Sequence, residues 1–132
     1  MRFMLDTNII AYAKSKRPES VAARLQQYDP LDICISAITM AELEYGASKS
    51  SWPEKNRVLL MLFLSEIQVV PFDANAAREY GDIRADLEKR GLIIGGNDML
   101  IAAHAKSLNF TLITNNQREF ERVKGLKLEN WL

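Results

Sequence analysis

Three acidic residues that are far apart in this chain each adjoin apolar sequence. Asp6 directly follows the run Phe3–Leu5, whereas Glu42 and Asp98 lie within segments rich in alanine, isoleucine and leucine. A carboxylate placed against a buried segment is costly unless it is paired, hydrogen-bonded or bound to a metal ion. Three such carboxylates share that cost if they converge on one cation, and the pattern therefore predicts a metal site.

The donor set decides which metal ion and which chemistry we expect. Mg²⁺ and Mn²⁺ prefer oxygen ligands, usually a few carboxylates together with water. Zinc is disfavoured, because the chain has one cysteine and one histidine, without the spacing of a zinc site. Acidic metal clusters commonly serve phosphoryl chemistry, with one or two metal ions. For each acid taken singly, a helix cap or a solvated surface charge is the alternative interpretation.

Short β-type runs alternate with longer helical patterns along the chain. The predicted strands are Arg2–Asp6, Asp32–Ser36, Ile67–Pro71, Phe110–Thr114 and a short final strand within Leu126–Leu132. The predicted helices are Thr7–Lys14, Pro18–Tyr28, Ala37–Ser48, Pro53–Ser65, Ala74–Arg90 and Asn97–Leu108. Strands separated by helices indicate an α/β fold with a mainly parallel central sheet of four to five strands, flanked by helices on both faces.

This arrangement also predicts where the acids lie. Asp6 and Thr114 fall at the carboxyl ends of strands, where open α/β sheets place their ligand sites. Asp98 falls in the first turn of its helix, where the helix dipole partly offsets a negative charge. Glu42 lies a turn or more into its own helix. The three acids can therefore meet at one edge of the sheet.

Bulk composition is that of an ordinary globular protein. The 132 residues, 48% of them hydrophobic and 26% charged, predict one domain spanning residues 1–132. The formal net charge is zero, so binding to a polyanion must rely on local patches. Cys34, the single cysteine, is predicted to be a small buried hydrophobe. We expect a cytoplasmic protein, because no signal peptide precedes Asp6 and no apolar run is long enough to span a bilayer.

Four motifs, taken in order, carry a resemblance to a known family. They are Met4-Leu5-Asp6-Thr7-Asn8-Ile9, Ser36-x-x-Thr39-x-Ala41-Glu42-Leu43-x-x-Gly46, Asn97-Asp98-x-x-Ile101-Ala102-Ala103-x-Ala105 and Leu112-Ile113-Thr114-Asn115-Asn116-x-x-Glu119-Phe120. In their order and spacing they resemble the PIN-domain ribonucleases, and more closely the VapC toxins of bacterial VapBC toxin–antitoxin pairs. The resemblance covers essentially the whole chain.

The resemblance implies a fold, an activity and a set of partners. It implies a PIN-like fold and an endoribonuclease that depends on Mg²⁺ or Mn²⁺, with Asp6, Glu42 and Asp98 at the matching acidic positions. The implied substrate is a tRNA anticodon loop, with initiator tRNA as one candidate. A homodimer and neutralisation by a VapB antitoxin are also implied, with DNA contacted only through the antitoxin.

One departure from the family pattern affects the site. Many family members carry a fourth acid where this chain has Asn116, and an asparagine keeps an oxygen acceptor but loses the charge. Glu119, one helical turn later, is a candidate to supply the missing charge, and this favours a single metal ion. Thr114 is a candidate to hydrogen-bond an aspartate or a water in the site.

Several other residues have a bland interpretation that competes with a functional one. His104 is predicted to be a packed or partly exposed helical residue, in preference to a catalytic base. Trp52 and Trp131 are predicted to contact a helix, a second copy or the antitoxin, in preference to RNA bases. The nearly all-apolar stretch 58–64 predicts a face for a partner chain. Basic residues that are candidates to steer RNA phosphates are Lys14, Lys16, Arg17, Lys49, Arg118, Arg122 and Lys124.

Two other function classes compete with a nuclease. A phosphatase with Asp6 as its nucleophile is disfavoured, because such enzymes usually place a second aspartate two residues later and this chain has Asn8 there. A catalytically weak PIN-fold binding module, acting through protein or RNA contacts, rests on Asn116 alone. Titration with Mg²⁺ or Mn²⁺ separates this second class from the enzyme.

Overall fold

The elements of the structure follow the predicted order. The computed structural model describes residues 2–15 and 19–132. Its strands are β1 (Phe3–Leu5), β2 (Ile33–Ser36), β3 (Gln68–Val70), β4 (Thr111–Ile113) and β5 (Lys127–Glu129). Its helices are α1 (Thr7–Ser15), α2 (Glu19–Gln26), α3 (Ala37–Lys49), α4 (Pro53–Leu64), α5 (Ala74–Arg90), α6 (Gly96–Ser107) and α7 (Gln117–Phe120), with a 3₁₀ turn at Pro30–Asp32.

The described strands form one parallel sheet in the order β3-β2-β1-β4-β5. The chain passes from β1 to one side of the sheet and later returns to its other side, so β1 lies at the point where the strand order reverses. Ligand sites of open α/β sheets lie at such a point, outside the carboxyl ends of the strands. The sheet confirms the predicted fold class, and all five strands are parallel.

Apolar residues bury both faces of the sheet because side chains alternate along each strand. Met4 packs with Cys34, Leu112 and apolar residues of α5 and α6 on one face. Phe3 and Leu5 pack on the other face, with residues from α1, α2 and α4. The central strand is therefore fixed from both sides, and so is the residue that follows it.

Local capping explains where several helices begin and end. The Ser36 side chain accepts a hydrogen bond from the Ile38 N–H at 3.0 Å and so caps α3, while Asp73 does the same for α5 through the Ala76 N–H at 3.0 Å. Gly91 ends α5 with a φ of 69°, in the left-handed region that favours glycine. Gly91 is therefore the C-cap of α5.

The structure corrects several element bounds. The predicted helix from residue 18 to 28 is shorter, at Glu19–Gln26, and Pro18 lies outside the described residues. The short helix α7 and the 3₁₀ turn at Pro30–Asp32 were not predicted, because one turn of helix leaves little periodicity in a sequence. The final strand occupies only Lys127–Glu129 of its predicted window.

Three predictions about single side chains can also be compared with the structure. Cys34 is fully buried, and burial raises the pKa of its thiol to about 11, which confirms an unreactive core position. Trp131 is buried within the chain, where its ring stacks on Tyr28 at 5.5 Å between centroids, so it faces neither RNA nor a partner. Trp52 is 71% exposed.

No helix among the described residues is long and apolar enough to cross a membrane.

Candidate active site

Asp6 is a buried carboxylate held by donors on two sides. It lies directly after β1, and only 4% of its surface is exposed. One carboxylate oxygen accepts the Ile9 N–H at 2.9 Å, which caps the start of α1, and the other accepts the Thr114 hydroxyl at 2.5 Å. Burial raises the pKa of Asp6, and the hydrogen bonds from Thr114 and Ile9 counter that rise.

Thr114 reaches Asp6 because β1 and β4 are neighbours in the sheet. Leu5 pairs with Ile113, so the residues that follow them leave the sheet side by side. Thr114 is fully buried, and its hydroxyl oxygen also accepts the Asn116 N–H at 2.9 Å. The hydrogen bond from Thr114 to an aspartate, considered at the level of sequence, is present.

Glu42 approaches the same edge from α3, which begins directly at the end of β2. Its side chain is half-buried and accepts the Thr7 hydroxyl at 2.5 Å. Thr7 was not singled out in the sequence, although a hydroxyl residue directly after Asp6 was a usable signal. Glu42 therefore lies beside the residue that follows Asp6 along the chain.

Asp98 and Glu119 form a hydrogen-bonded carboxylate pair near Asp6. α6 runs back along the sheet before β4, so its first turn, with Asp98, lies at the carboxyl edge; α7 follows β4 and carries Glu119. Burial raises the pKa of Asp98 to about 7, helped by a hydrogen bond to Glu119 and by the negative charges of Glu119, Glu42 and Asp6. Asp98 is therefore close enough to the other three acids to be affected by their negative charges.

Asn116 supports this pair rather than facing Asp6. Its side-chain amide donates to a Glu119 carboxylate oxygen at 3.0 Å. The asparagine thus orients the acid that lies one turn further along the chain. The structure thus shows how Asn116 and Glu119 are related in space, while their roles in catalysis stay a prediction.

Gly95 lies close to the carboxylate of Asp98. A Cβ atom at Gly95 would lie 3.3 Å from a carboxylate oxygen of Asp98, which is tighter than ordinary van der Waals contact. At the neighbouring Gly96 a Cβ atom would meet nothing within 4 Å. Gly95 therefore sets how far the Asp98 carboxylate can lie toward the loop before α6.

The donor set of this cluster fits a hard divalent cation, although the side chains are not arranged as ligands. Its acids offer only carboxylate oxygens, and their mutual repulsion is what a cation would relieve. Among residues 2–15 and 19–132, no three acidic, histidine or cysteine side chains are grouped to hold a metal ion. The carboxylates instead accept hydrogen bonds from protein groups, and Asp98 and Glu119 share one. Binding a cation requires exchanging that shared hydrogen bond for coordination.

His104 is a buried helical residue, as predicted, and it has a partner that the sequence did not reveal. It is 1% exposed, and its Nδ1 atom lies 2.7 Å from the hydroxyl oxygen of Ser36. Because Ser36 caps α3 and His104 belongs to α6, this contact ties together the helices that carry Glu42 and Asp98. Burial lowers the pKa of His104, so the neutral imidazole is favoured.

The predicted basic residues have different partners in the structure. The Lys49 ammonium lies over the Tyr45 ring, at 4.9 Å from its centroid. Arg122 donates to the Ile93 carbonyl at 3.2 Å, and Lys124 lies 3.9 Å from Asp86. Arg118 is exposed, Lys16 and Arg17 lie outside the described residues, and so does the side chain of Lys14.

The amino-acid sequence also matches the model of a known protein family. The model described as "PIN domain" matches residues 3–126, which include all four motifs and every acid of the cluster. The chain belongs to the PIN-domain family. The resemblance seen in the motifs is thereby confirmed.

Named relatives narrow the position of the chain within the PIN-domain family. A protein from Rickettsia felis, "Ribonuclease VapC2", is 48% identical over 132 residues and is covered over 98% of its length, with 99% of this chain matched. A Shigella flexneri protein, "tRNA(fMet)-specific endonuclease VapC", is 45% identical over 131 residues, with 99% and 98% of the two chains covered. A chain in the crystal structure of VapBC2 from Rickettsia felis bound to a promoter DNA fragment matches with a TM-score of 0.92 and 47% identity, over 100% of both chains. The chain is thus a VapC-type member of the PIN-domain family.

Proposed function

We propose that this chain is an endoribonuclease and the toxin of a type II toxin–antitoxin pair. The observation that supports the proposal is the proximity of Asp98 to Glu119, Glu42 and Asp6, whose negative charges raise the pKa of Asp98. The names of the relatives, which are ribonucleases and a tRNA endonuclease, support the same reaction class. The reaction is hydrolysis of an RNA phosphodiester bond.

The proposed cofactor is Mg²⁺, with Mn²⁺ able to replace it. Asp6, Asp98 and Glu42 would hold the ion, and Glu119 would add negative charge that Asn116 keeps in place through its hydrogen bond. When bound, the ion supplies positive charge against the scissile phosphate and favours ionisation of the attacking water. This assignment rests on oxygen-only donors and on the mutual repulsion of the acids.

The side chains around the acids have a positioning task. Thr114 and the Ile9 N–H hold the Asp6 carboxylate at two oxygens, so Asp6 has little freedom to turn. Thr7 holds Glu42 by a single hydrogen bond. A carboxylate that is already in place binds a cation without first losing conformational freedom, which is the advantage of preorganisation.

The proposed substrate is a tRNA anticodon loop, with initiator tRNA as the first candidate. Support comes from the relative named for tRNA(fMet), which is 45% identical over 131 residues. The proposed protein partner is a VapB-type antitoxin, since the similar structure from Rickettsia felis is a VapBC pair. DNA contact would then be indirect. A homodimer is proposed from the exposed apolar residues of α4, among them Val58, Met61 and Leu62.

The test is cleavage of RNA by purified protein in the presence and absence of a chelator. We expect Asp6→Asn to lose more than about 100-fold in cleavage rate, because even the outer partners of metal ligands usually contribute about 10- to 100-fold. Asp82→Asn, an exposed acid on α5, is the matched control and keeps full rate. Sequencing of the RNA ends identifies the cleaved bond.

Calorimetric titration with Mg²⁺ and Mn²⁺ separates an enzyme from a binding module of the same fold. The enzyme binds the ion, and Asp6→Asn weakens that binding. Full cleavage by chelator-treated protein would contradict the metal-dependent mechanism. Absence of both cleavage and metal binding would favour the binding module.

A further inference from the structure

A hollow adjoins Glu42 on α3, and it is termed the polar hollow because five of its eight lining residues have polar or charged side chains, although most of its lining surface is apolar. Its volume is about 530 Å³, and it is lined in part by Thr7, Glu42, Tyr45, Gly46, Lys49 and Asn97. A neighbouring hollow of about 490 Å³ shares Thr7, Glu42 and Gly46 but has an aliphatic wall that includes Leu59 and Leu60 of α4. Both hollows have more apolar than polar lining surface, and they differ in that Tyr45, Lys49 and Asn97 line only the first.

Gly46 keeps the boundary between these hollows open. It lies inside α3, where glycine is less favourable than alanine because it has more conformational freedom to lose on folding. A Cβ atom at this position would meet nothing within 4 Å. Packing within the chain therefore does not require glycine here, and the open space beside Gly46 belongs to the polar hollow.

Tyr45 and Lys49 lie one turn apart on α3 and form the outer wall of the polar hollow. The tyrosine is 64% exposed, which is high for a large aromatic residue, and the lysine ammonium lies 4.9 Å from the ring centroid. An exposed aromatic face stacks an unpaired base, and an adjacent ammonium attracts a phosphate. Asn97, exposed on the opposite wall and next to Asp98, offers a donor and an acceptor to a base edge.

We propose that single-stranded RNA crosses α3 at Gly46, with one base stacked on Tyr45 and its phosphate beside Lys49. The proposal rests on the proposed ribonuclease function and specifies where the strand lies next to the cleaved bond. RNA is favoured over a peptide because this hollow combines an aromatic face, a cation and an amide beside the acids. An apolar peptide segment would instead fit the aliphatic wall of the neighbouring hollow.

The sharpest test compares the same substitution in two helices. Gly46→Leu fills the hollow beside a half-buried glycine, whereas Gly81→Leu places leucine at an exposed glycine inside another helix, where a Cβ atom also meets nothing within 4 Å. Both changes raise helix propensity, so neither is expected to unfold the protein. With total bacterial tRNA as substrate, we expect Gly46→Leu to raise KM about tenfold or more, consistent with the loss of one stacked base. Gly81→Leu stays within about twofold of wild type, as surface positions usually do.

Two further variants test the base and the phosphate separately. Tyr45→Phe keeps an aromatic face and wild-type KM, whereas Tyr45→Ala raises KM about fivefold or more. Lys49→Gln reduces the slope of log binding constant against log salt by about 0.7 for single-stranded RNA, because one phosphate contact is lost. Binding is measured with a fluorescein-labelled single-stranded RNA in an Asp6→Asn background, which prevents cleavage.

The outcomes separate this proposal from the proposed function. If wild type cleaves tRNA and Gly46→Leu cleaves it equally well, the proposal that RNA binds in the polar hollow is wrong, and the proposed ribonuclease function is retained. If wild type cleaves no RNA, the proposed ribonuclease function is wrong, and the labelled RNA still shows whether the polar hollow binds a single strand. If Gly46→Leu keeps its cleavage but loses a co-expressed VapB-type antitoxin, the hollow binds protein and the RNA proposal is overturned. Unchanged Mg²⁺ binding in Gly46→Leu establishes that Glu42 was not displaced.

Discussion

The candidate active site has two halves that are held in different ways. The sheet half consists of Asp6 and Thr114, which are 4% and 0% exposed and follow adjacent strands. The helix half consists of Glu42, Asp98 and Glu119, which are half-buried side chains on three helices. Backbone and hydroxyl donors fix the sheet half, whereas in the helix half two carboxylates are bonded to each other. The sheet half is therefore preorganised, and the helix half must rearrange to accept a cation.

Removing the donor of the sheet half should have the largest effect. Thr114→Val keeps the shape of the side chain but leaves a buried Asp6 oxygen without its hydroxyl partner. We expect an activity loss of about 10- to 100-fold, which is typical for an outer partner of a metal ligand. Thr111→Val, at the other end of the same strand, is the matched control and keeps its rate. Equal rates for the two variants would remove the distinction between the halves.

The shared hydrogen bond of the helix half can be tested through the metal requirement. Glu119→Gln keeps the length of the side chain and removes one negative charge beside Asp98. We expect the Mg²⁺ concentration for half-maximal activity to rise about tenfold, within the range known for changes to the outer partners of metal ligands. Glu121→Gln, an exposed acid just after α7, leaves that concentration unchanged. A fall in the required concentration would mean that the charge of Glu119 hinders binding.

The adjacent glycines before Asp98 allow a finer test of the helix half. Gly95→Ala places a Cβ atom 3.3 Å from an Asp98 carboxylate oxygen, while Gly96→Ala meets nothing within 4 Å. A shift of about 1 Å in a catalytic group costs about 100-fold, so a shift of a few tenths predicts a loss of about threefold to tenfold. Turnover at saturating RNA is the measurement. Loss of activity in Gly96→Ala alone would contradict the explanation.

The smallest expected effect concerns stability and pH rather than catalysis. The pKa of His104 is lowered in the folded chain, so the unfolded chain takes up its proton first, and stability is lost as pH falls below about 6.5. The pKa of Asp98 is raised to about 7, so its contribution has the opposite sign and is lost as pH rises through that value. In the presence of a chelator, the free energy of unfolding of His104→Asn should therefore increase more than that of wild type when the pH is lowered from 7.5 to 5.5. Urea midpoints at both pH values measure the difference, and parallel changes would contradict it.

The sequence predicted the sheet half better than the helix half, for a physical reason. Asp6 and Thr114 follow apolar strand runs, and the rule for strand ends then places them at one edge. Contacts of the helix half depend on how helices pack, which periodicity does not specify. The bond from Thr7 to Glu42 and the contact between Ser36 and His104 join residues 35 and 68 positions apart. The short helix α7, which places Glu119, was missed because a single turn carries no repeat.

The order of the strands determines when the site can form during synthesis on the ribosome. Asp6 and its donor Thr114 are 108 residues apart, and β1 cannot pair with β4 until that later segment has been synthesised. Domains fold as units during synthesis, and contacts this distant in sequence form late. A partial chain thus carries Asp6 and Glu42 without the strand that would complete their surroundings. The acidic cluster, and any cleavage that depends on it, therefore cannot be complete until Thr114 and Glu119 have been synthesised.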